Sequence, residues 1–427
     1  MRETFYMRDI RAMQEEASGK GELQINVTST LDSRPIAEAR ISISYTGVPE
    51  QTLEQVSTDS SGQSEVLTLD APPEEWSLDP DNERQPYSEY TLDVSAPGFE
   101  PVSIAGTEIL ANVKAIQNVR MRPSDTGGEE EEVFVIPAHT LYGDYPPKIA
   151  EDEIKPANES GEIVLSRVVV PEYIVVHDGS PRDTTATNYY VKYKDYIKNV
   201  ASSEIYATWP SDTIRANVLA IMSFTLNRVY TEWYRNRGYD FTITSSTAFD
   251  HKWIPERNFY DTISVIVDEL FAAYLSRPNV RQPILTQYCD GRRVSCPNWM
   301  TQWGSKELGD KGYSPIEILR YFYGDDMYIN SAEEISGIPS SWPGYTLEEG
   351  SSGAKVKQMQ EQLNVIAGAY PALPKITADG IYGPATANAV REFQSVFGLP
   401  PTGKADYPTW YKISEIYVGV SRIAELT

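Results

Sequence analysis

The first candidate for chemistry is an acidic residue on an otherwise apolar helix face. In the segment YIKNVASSEIYATWP, Ile197, Val200 and Glu204 recur at helical spacing, so Glu204 occupies a position where a core-facing residue is expected. A carboxyl group partly removed from water keeps its proton to a higher pH, and it can then protonate a glycosidic oxygen near neutrality. The competing interpretation is a Glu at an exposed helix end, paired with Lys198. Spacing alone leaves both open.

Other catalytic patterns are weak in this sequence. It has two cysteines, Cys289 and Cys296, and three histidines, His139, His177 and His251. HExxH and CxxC metal motifs are absent, and so is the GxSxG elbow of serine hydrolases. We therefore predict no metal and no cofactor, and we expect the histidines to be core or surface groups. The two cysteines can form a local disulfide or remain free thiols.

The elements that must position Glu204 lie between residues 169 and 334, which we predict to be an α+β domain, mainly helical. It opens with the strand-like run VVVPEYIVVHDG. SDTIRANVLAIMSFTLNRVYTEWY then places apolar residues along one side of a long buried helix. In GYSPIEILRYFYG, Ser314 and Glu317 predict a capping box, and the helix should end at Gly324.

The chain around this segment is predicted to be multidomain. Residues 21–123 contain short alternating runs, which favour an all-β, antiparallel sandwich; Tyr90, Leu92 and Val94 should face its core. We expect a flexible tail at 1–20, an exposed acidic linker at 124–168 and a three-helix module at 345–427. No internal repeat is evident.

Composition excludes some partners. The sequence has 427 residues and a formal net charge of −24, which repels nucleic acid and anionic lipid surfaces. It contains no apolar run long enough for a secretory signal or a membrane span. We therefore predict neither nucleic acid nor membrane as a partner.

The middle segment carries a family resemblance. DYIKNVASSEIYATWPSDTIRANVLAIMSFTLNRVYTEWY, YDFTITSSTAFDH, QYCDGRRVSC, TQWGS and GYSPIEILRYFYGDD strongly resemble the stage II sporulation protein D (SpoIID) domain, in the form found in germination-specific spore cortex-lytic enzymes of the SleC type. The resemblance implies a peptidoglycan lytic transglycosylase in which Glu204 is the catalytic acid.

The reaction implied by the resemblance needs a single carboxyl group. Glu204 protonates the bridging oxygen and then, as a carboxylate, takes the proton from the muramic C6 hydroxyl, which closes on C1 to give a 1,6-anhydro sugar. No second carboxylate is required, because the attacking hydroxyl belongs to the substrate.

The residues expected to bind the sugar follow from the same motifs. We expect them to supply hydrogen bonds and stacking surfaces: Tyr206, Trp209, Ser245, Ser246, Thr247, Asp250, Tyr288, Gln302 and Trp303. Some relatives of the sporulation protein use two cysteines as zinc ligands, which adds a third state for Cys289 and Cys296; we favour a disulfide or free thiols.

The C-terminal segments GSSGAKVKQMQEQLN and ITADGIYGPATANAVREFQSVFGLPPTGKADYPTW resemble the peptidoglycan-binding domain 1 family, except that Tyr382 stands where that family usually has Phe. The resemblance implies a three-helix fold and a groove that holds the wall polymer, which raises the local substrate concentration for a tethered enzyme. The groove residues are Asp379, Gly380, Ile381, Tyr382, Gly383 and Thr386.

The resemblance also implies an inactive precursor. The sandwich stands where cortex-lytic enzymes carry a pro-region, and a subtilisin-like germination protease would cut between about Glu129 and Val169. Such a protein is made in the mother cell and retained at or outside the spore cortex, where cortex peptidoglycan is its substrate.

Three alternatives remain open from sequence. A muramidase-type hydrolase would need a second acid or base that holds water opposite Glu204. A non-catalytic wall-binding spore protein would keep only the C-terminal module. A sandwich that itself binds sugar or protein is a third interpretation, because fold does not imply function.

Overall fold

The N-terminal part of the chain consists of two β-sheets that share one core. The structure is a computed structural model that describes residues 19–124, 131–137, 141–143, 146–155, 165–337 and 342–421. We call residues 19–124 the N-terminal sheet domain. Its elements are β1 (Gly19–Ser29), β2 (Arg40–Tyr45), β3 (Thr52–Ser57), β4 (Leu67–Ala71), the one-turn helix α1 (Glu75–Leu78), β5 (Ser88–Ser95), β6 (Val102–Ile109) and β7 (Lys114–Met121).

Alternating side chains explain these strands. Leu23 and Ile25 on β1 are fully buried, as are Tyr90, Leu92 and Val94 on β5, which confirms the predicted core face. The pairing is mixed, however, rather than antiparallel throughout. Strand β1 pairs antiparallel with β4 but parallel with β7, because the chain crosses to the second sheet, ordered β3-β2-β5-β6, before it returns.

The described part of the predicted exposed linker is folded onto the molecule. Strand β8 (Glu132–Val135) extends the second sheet parallel to β6, and Ile136 and Leu141 are buried. The expectation of an exposed segment is therefore wrong for Ile136 and Leu141, whereas Val133 and Val135 are exposed as expected. Two of its acidic side chains pair with arginines, Glu151 with Arg228 and Glu153 with Arg277. The predicted tail lies outside the described residues except for its last two positions, which belong to β1, and His139 lies outside them too.

The middle domain, residues 165–337, is built around one buried helix. Its strands are β9 (Val169–Val170), β10 (Tyr173–His177), β11 (Asn188–Lys192), β12 (Ile243–Thr244), β13 (Phe259–Tyr260), β14 (Ala273–Ser276), β15 (Tyr288–Cys289), β16 (Met300–Thr301), β17 (Tyr328–Ser331) and β18 (Glu334–Ile335). Its helices are α2 (Tyr193–Glu204), α3 (Ser211–Tyr230), α4 (Asp261–Leu270), α5 (Gln302–Asp310) and α6 (Pro315–Tyr323).

Helix α3 is more central than its sequence pattern predicted. Seventeen of its twenty residues are buried, on every side rather than along one stripe, because α2, α4, α5, α6 and β14 all pack against it. Helix α6 begins with the predicted Ser314 and Glu317 capping box and stops at Gly324, whose φ is 96°. Strands β9 and β18 pair, so the two ends of the domain meet.

The C-terminal module, residues 342–421, is helical. It contains α7 (Ala354–Ala369), α8 (Pro384–Val396) and α9 (Tyr407–Ser421). It packs against the middle domain through Phe271, which stacks on Tyr407 and meets Tyr411 edge-to-face, and through the ion pair between Lys194 and Glu415.

The N-terminal sheet domain is joined to the middle domain by shared structure. Strand β13 pairs with β7 and so adds a fourth strand to the first sheet. A fully buried ion pair links Glu108 to Arg257 at 2.7 Å. Across the described ranges, no helix is long and apolar enough to cross a lipid bilayer.

Candidate functional site

Glu204 is the last residue of α2, and its side chain is buried at 2% exposure. The predicted stripe places it there, because Ile197 and Val200 on the same face are fully buried. Helix α2 ends at this point, and the chain continues extended at Ile205. The interpretation as an exposed helix end paired with Lys198 is wrong, since Lys198 pairs with Asp268 at 2.8 Å.

Two donors from other elements orient the Glu204 carboxylate. The backbone N–H of Lys252 donates to Oε1 at 2.8 Å. The side-chain amide of Gln302, at the start of α5, donates to Oε2 at 3.2 Å and to the Glu204 carbonyl at 2.7 Å. Each carboxylate oxygen has two lone pairs and accepts one of these hydrogen bonds. The arrangement suits a residue that works as acid and as base.

Aromatic and basic groups surround the carboxylate. The phenol of Tyr288 lies close by: burial, and then the charge of Glu204, raise its pKa well above the usual value. The ring of Tyr288 stacks on His251, whose Nδ1 is 3.1 Å from the Tyr196 hydroxyl. Burial, helped by the charges of Lys148 and Arg228, lowers the pKa of His251 well below its usual value, so this imidazole is neutral.

Three of the predicted sugar-binding residues form one aromatic cluster. The ring centroids of Trp209 and Trp303 are 4.9 Å apart, and Tyr206 lies 6.0 Å from Trp209 and 6.2 Å from Trp303. All three side chains are buried. The Trp209 indole N–H donates to the carbonyl of Ser77, in α1 of the N-terminal sheet domain, at 3.0 Å. The cluster is therefore covered by that domain.

The segment 245–250 divides into two kinds of residue. Ser245 donates to Asp178 at 2.7 Å, and Ser246 and Thr247 follow on the same loop, Ser246 half-buried and Thr247 buried. Asp250, predicted to bind substrate, is instead a core residue with no exposed surface. Its carboxylate accepts hydrogen bonds from Thr244, Tyr234 and the Arg228 guanidinium, at 2.6 to 2.9 Å. These three partners hold the carboxylate within the core.

Cys289 and Cys296 form a disulfide. It closes the loop between β15 and β16, and it leaves no thiolate for a metal. Within the described part of the chain, no group of three or more His, Cys, Asp or Glu side chains could hold a metal ion.

The predicted wall-binding residues converge on a glutamine that the sequence reasoning missed. The Gln360 amide donates to Asp379 Oδ1 at 3.1 Å, to the Ile381 carbonyl at 3.0 Å and to Thr386 Oγ1 at 3.0 Å. Gly380, with φ of 79°, donates its N–H to Gln360 Oε1 at 2.8 Å. The segment is thus a turn organised by a buried amide.

Only part of that turn faces solvent. Ile381 is 60% exposed, whereas Tyr382 is 1% exposed and donates its hydroxyl to the Gly403 carbonyl at 2.8 Å. The expectation that Tyr382 contacts the polymer is wrong, because its ring fills the module's core. Gly383 precedes α8 as its N-cap.

The turn is repeated further along the module. The Gln394 amide donates to Thr402, to the Lys404 carbonyl and to Thr409, and its oxygen accepts the N–H of Gly403. Each of these partners has a counterpart around Gln360. The module therefore contains a structural repeat, which the sequence analysis did not detect because only a few residues preserve the pattern.

Comparison with known proteins bears on this module. Residues 352–413 match the family described as "Putative peptidoglycan binding domain". They form a peptidoglycan-binding module. The chain is also 44% identical over 77 residues to the zinc D-Ala-D-Ala carboxypeptidase of Streptomyces albus G. That match covers 18% of this chain and 28% of the relative, so the chain spans little more than a quarter of the relative's length.

Solved structures give only weak similarity. The Bacillus anthracis TIE protein is 12% identical with a TM-score of 0.17, over 25% of this chain and 17% of that chain. The minor pilin GBS52 of Streptococcus agalactiae is 12% identical with a TM-score of 0.19, over 26% and 48%. Neither similarity carries an argument about function.

Proposed function

We propose that the chain is the precursor of a peptidoglycan lytic transglycosylase of the spore cortex, with Glu204 as its single acid and base. The observation that carries the proposal is the Glu204 carboxylate itself: a buried acid held by Lys252 and Gln302, in a chain with a peptidoglycan-binding module. Buried carboxyl groups are rare in ordinary cores, so this position supports a chemical role.

In the proposed mechanism, the acid form of Glu204 donates its proton to the oxygen between muramic acid and the next sugar. The C1–oxygen bond breaks, and the oxocarbenium-like C1 is attacked by the C6 hydroxyl of the same residue. The Glu204 carboxylate takes the hydroxyl proton, which restores the acid and gives a 1,6-anhydro end. The Lys252 and Gln302 contacts keep the carboxylate in one orientation through both proton transfers.

Covering of the site by the N-terminal sheet domain supports the precursor part of the proposal. That domain contacts the aromatic cluster at Trp209 and contacts Arg257, which donates to the carbonyl of Ser202 at 2.7 Å, two residues before Glu204. A long glycan strand needs an open groove on both sides of the scissile bond. Release of this domain, by a germination protease in a spore, would provide one.

The test compares the cut wild-type protein with the cut Glu204→Gln variant. A site-specific protease sequence replaces residues 158–164 in the full chain, the chain is cut, and soluble muropeptides from purified cortex peptidoglycan are quantified by mass spectrometry. We expect the substitution to abolish release, while Glu307→Gln, the same change on an exposed side chain of α5, leaves it intact. Equal release by both variants would refute Glu204 as the acid.

The alternative function, a peptidoglycan hydrolase, requires a different set of catalytic groups. It needs a second carboxylate, and Asp178 is a described candidate: burial lowers the pKa of the Lys252 ammonium, and the charges of Asp178 and Glu204 both oppose that shift. Asp178 also accepts a hydrogen bond from Ser245. A transglycosylase should keep its anhydro product in an Asp178→Asn variant, whereas a two-carboxylate hydrolase should lose turnover.

A further inference from the structure

A short segment ahead of the middle domain lies across the candidate site. We call residues 146–155 the strap. Its Ile149 N–H donates to the Ala248 carbonyl at 2.7 Å, and its Glu151 N–H donates to Gln287 Oε1 at 2.9 Å. The Gln287 amide returns a bond to the Ile149 carbonyl at 2.8 Å. The strap therefore bridges the loop 245–251 and the segment 282–288, as an extended peptide would bind in a cleft.

Lys148 brings a positive charge to the catalytic carboxylate. Its ammonium donates to the Asp250 carbonyl and lies 4.9 Å from the ring centroid of Tyr288. It is also 5.9 Å from the ring centroid of Phe224. Burial lowers the pKa of Lys148, and the negative charges of Glu204 and then Asp250 oppose that shift. Lys148 thus lies against Tyr288 and the loop that carries the predicted sugar ligands, where the charge of Glu204 acts on it.

Two arginines of the middle domain hold the strap in place. Glu151 accepts both terminal nitrogens of Arg228, at 2.6 and 3.0 Å, and the Arg228 side chain has no exposed surface. Glu153 accepts two nitrogens of Arg277 at 2.7 and 2.8 Å. Forked pairs of this kind fix geometry as well as charge. The strap is therefore a specifically bound peptide.

We propose that the strap is an intramolecular inhibitor, which blocks the site by placing the Lys148 ammonium beside Glu204 and the backbone of Ile149 to Glu151 in the cleft. The inference rests on the proposed function and adds to it that loss of the N-terminal sheet domain is not sufficient: the strap must leave as well. Consequently the position of the activating cut, before or after the strap, decides whether the product is active.

The test uses two versions of the full chain. One carries the protease recognition sequence in place of residues 125–130, so the strap stays with the middle domain after cutting. The other carries it in place of residues 158–164, so the strap stays with the N-terminal fragment. After cutting and separation of the fragments by gel filtration, muropeptide release from cortex peptidoglycan is measured for each, with and without Lys148→Ala.

The inference predicts muropeptide release after the cut at 158–164 and at least roughly tenfold less release after the cut at 125–130. Lys148→Ala should restore release by the protein cut at 125–130, because a lost hydrogen bond to a charged group is worth about that factor. Equal release after both cuts would contradict the inhibitory role of the strap but would remain consistent with the proposed transglycosylase activity. No release after the later cut, from correctly folded and separated protein, would overturn the proposed function and the inference with it.

Inhibition by an added peptide tests the role of the strap without depending on separation of the two fragments. The peptide PPKIAEDEIK, residues 146–155 with blocked ends, is added to the later-cut protein. We expect it to inhibit release, the Lys148→Ala peptide to be roughly tenfold weaker, and an Asp152→Ala peptide to match the parent, because Asp152 is exposed. Inhibition that is the same for all three peptides, or absent for all, would contradict the inference.

Discussion

Replacement of Glu89 by glutamine should stabilise the N-terminal sheet domain at pH 8 and have little effect at pH 5. Glu89 on β5 lies directly opposite Glu108 on β6, which places two like charges on adjacent strands. Glu108 is buried and its carboxylate pairs with Arg257. Burial, and then the charge of Glu108, raise the pKa of Glu89 from 4.5 to about 7, against the opposing charge of Arg257.

The sign and size of the expected stability change follow from the linkage between proton binding and folding. Because the pKa of Glu89 is higher in the folded state, the folded protein binds more protons than the unfolded one between pH 4.5 and about 7. Its stability therefore falls as the pH rises through that window. The full shift in the pKa of Glu89 corresponds to a loss of about 3 kcal/mol in the free energy of unfolding at high pH. Glutamine carries no charge, so the variant should gain about 1 to 3 kcal/mol at pH 8, since part of the penalty is shared with Glu108.

The assay is urea-induced unfolding of the full chain at pH 5 and pH 8, followed by tryptophan fluorescence, with the transition of the N-terminal sheet domain analysed separately. Glu83→Gln is the matched control, because Glu83 is exposed in the same domain. A gain for Glu89→Gln that is equal at both pH values, or no larger than the control's, would refute the electrostatic reasoning.

Three further predictions concern the Glu204 site, the core around Asp250 and the C-terminal module. Gln302→Ala should lower kcat of the processed enzyme about 10- to 100-fold with little change in KM, because it removes a hydrogen bond to the Glu204 carboxylate; an unchanged kcat would contradict its positioning role. Asp250→Ala should lower the free energy of unfolding by about 3 to 5 kcal/mol, measured by denaturant titration, because Arg228 loses a buried partner. Gln360→Ala should weaken co-sedimentation with insoluble peptidoglycan and destabilise the C-terminal module by about 1 to 3 kcal/mol, while Gln358→Ala on the same helix should change neither.

Local patterns predicted the elements well where burial is one-sided. The alternation in β5 and the capping box of α6 depend on residues within one turn or strand, so the sequence contains the whole signal. The same reasoning placed Glu204 on a buried face of α2. Tyr206, Trp209 and Trp303 were named from the motifs of the family resemblance, and their contacts with one another and with Ser77 appear only in the structure.

The errors arose where distant residues decide the environment. Acidic residues 151 and 153 suggested an exposed linker, but Arg228 and Arg277 lie far along the chain and neutralise them. Asp250 was expected to bind sugar because it lies in a motif of the family resemblance, yet it is buried and paired with Arg228. Lys148 had no sequence signal at all, since its place beside Glu204 depends on how the strap crosses the middle domain.

The most direct test of the central proposal is digestion of cortex peptidoglycan in heavy-oxygen water by the later-cut protein, with the new glycan ends analysed by mass spectrometry. Transglycosylation consumes no water, so the ends should be 1,6-anhydromuramic acid without heavy oxygen, and they should disappear in the Glu204→Gln variant. Reducing ends that carry one heavy oxygen would contradict the proposal and identify the enzyme as a hydrolase.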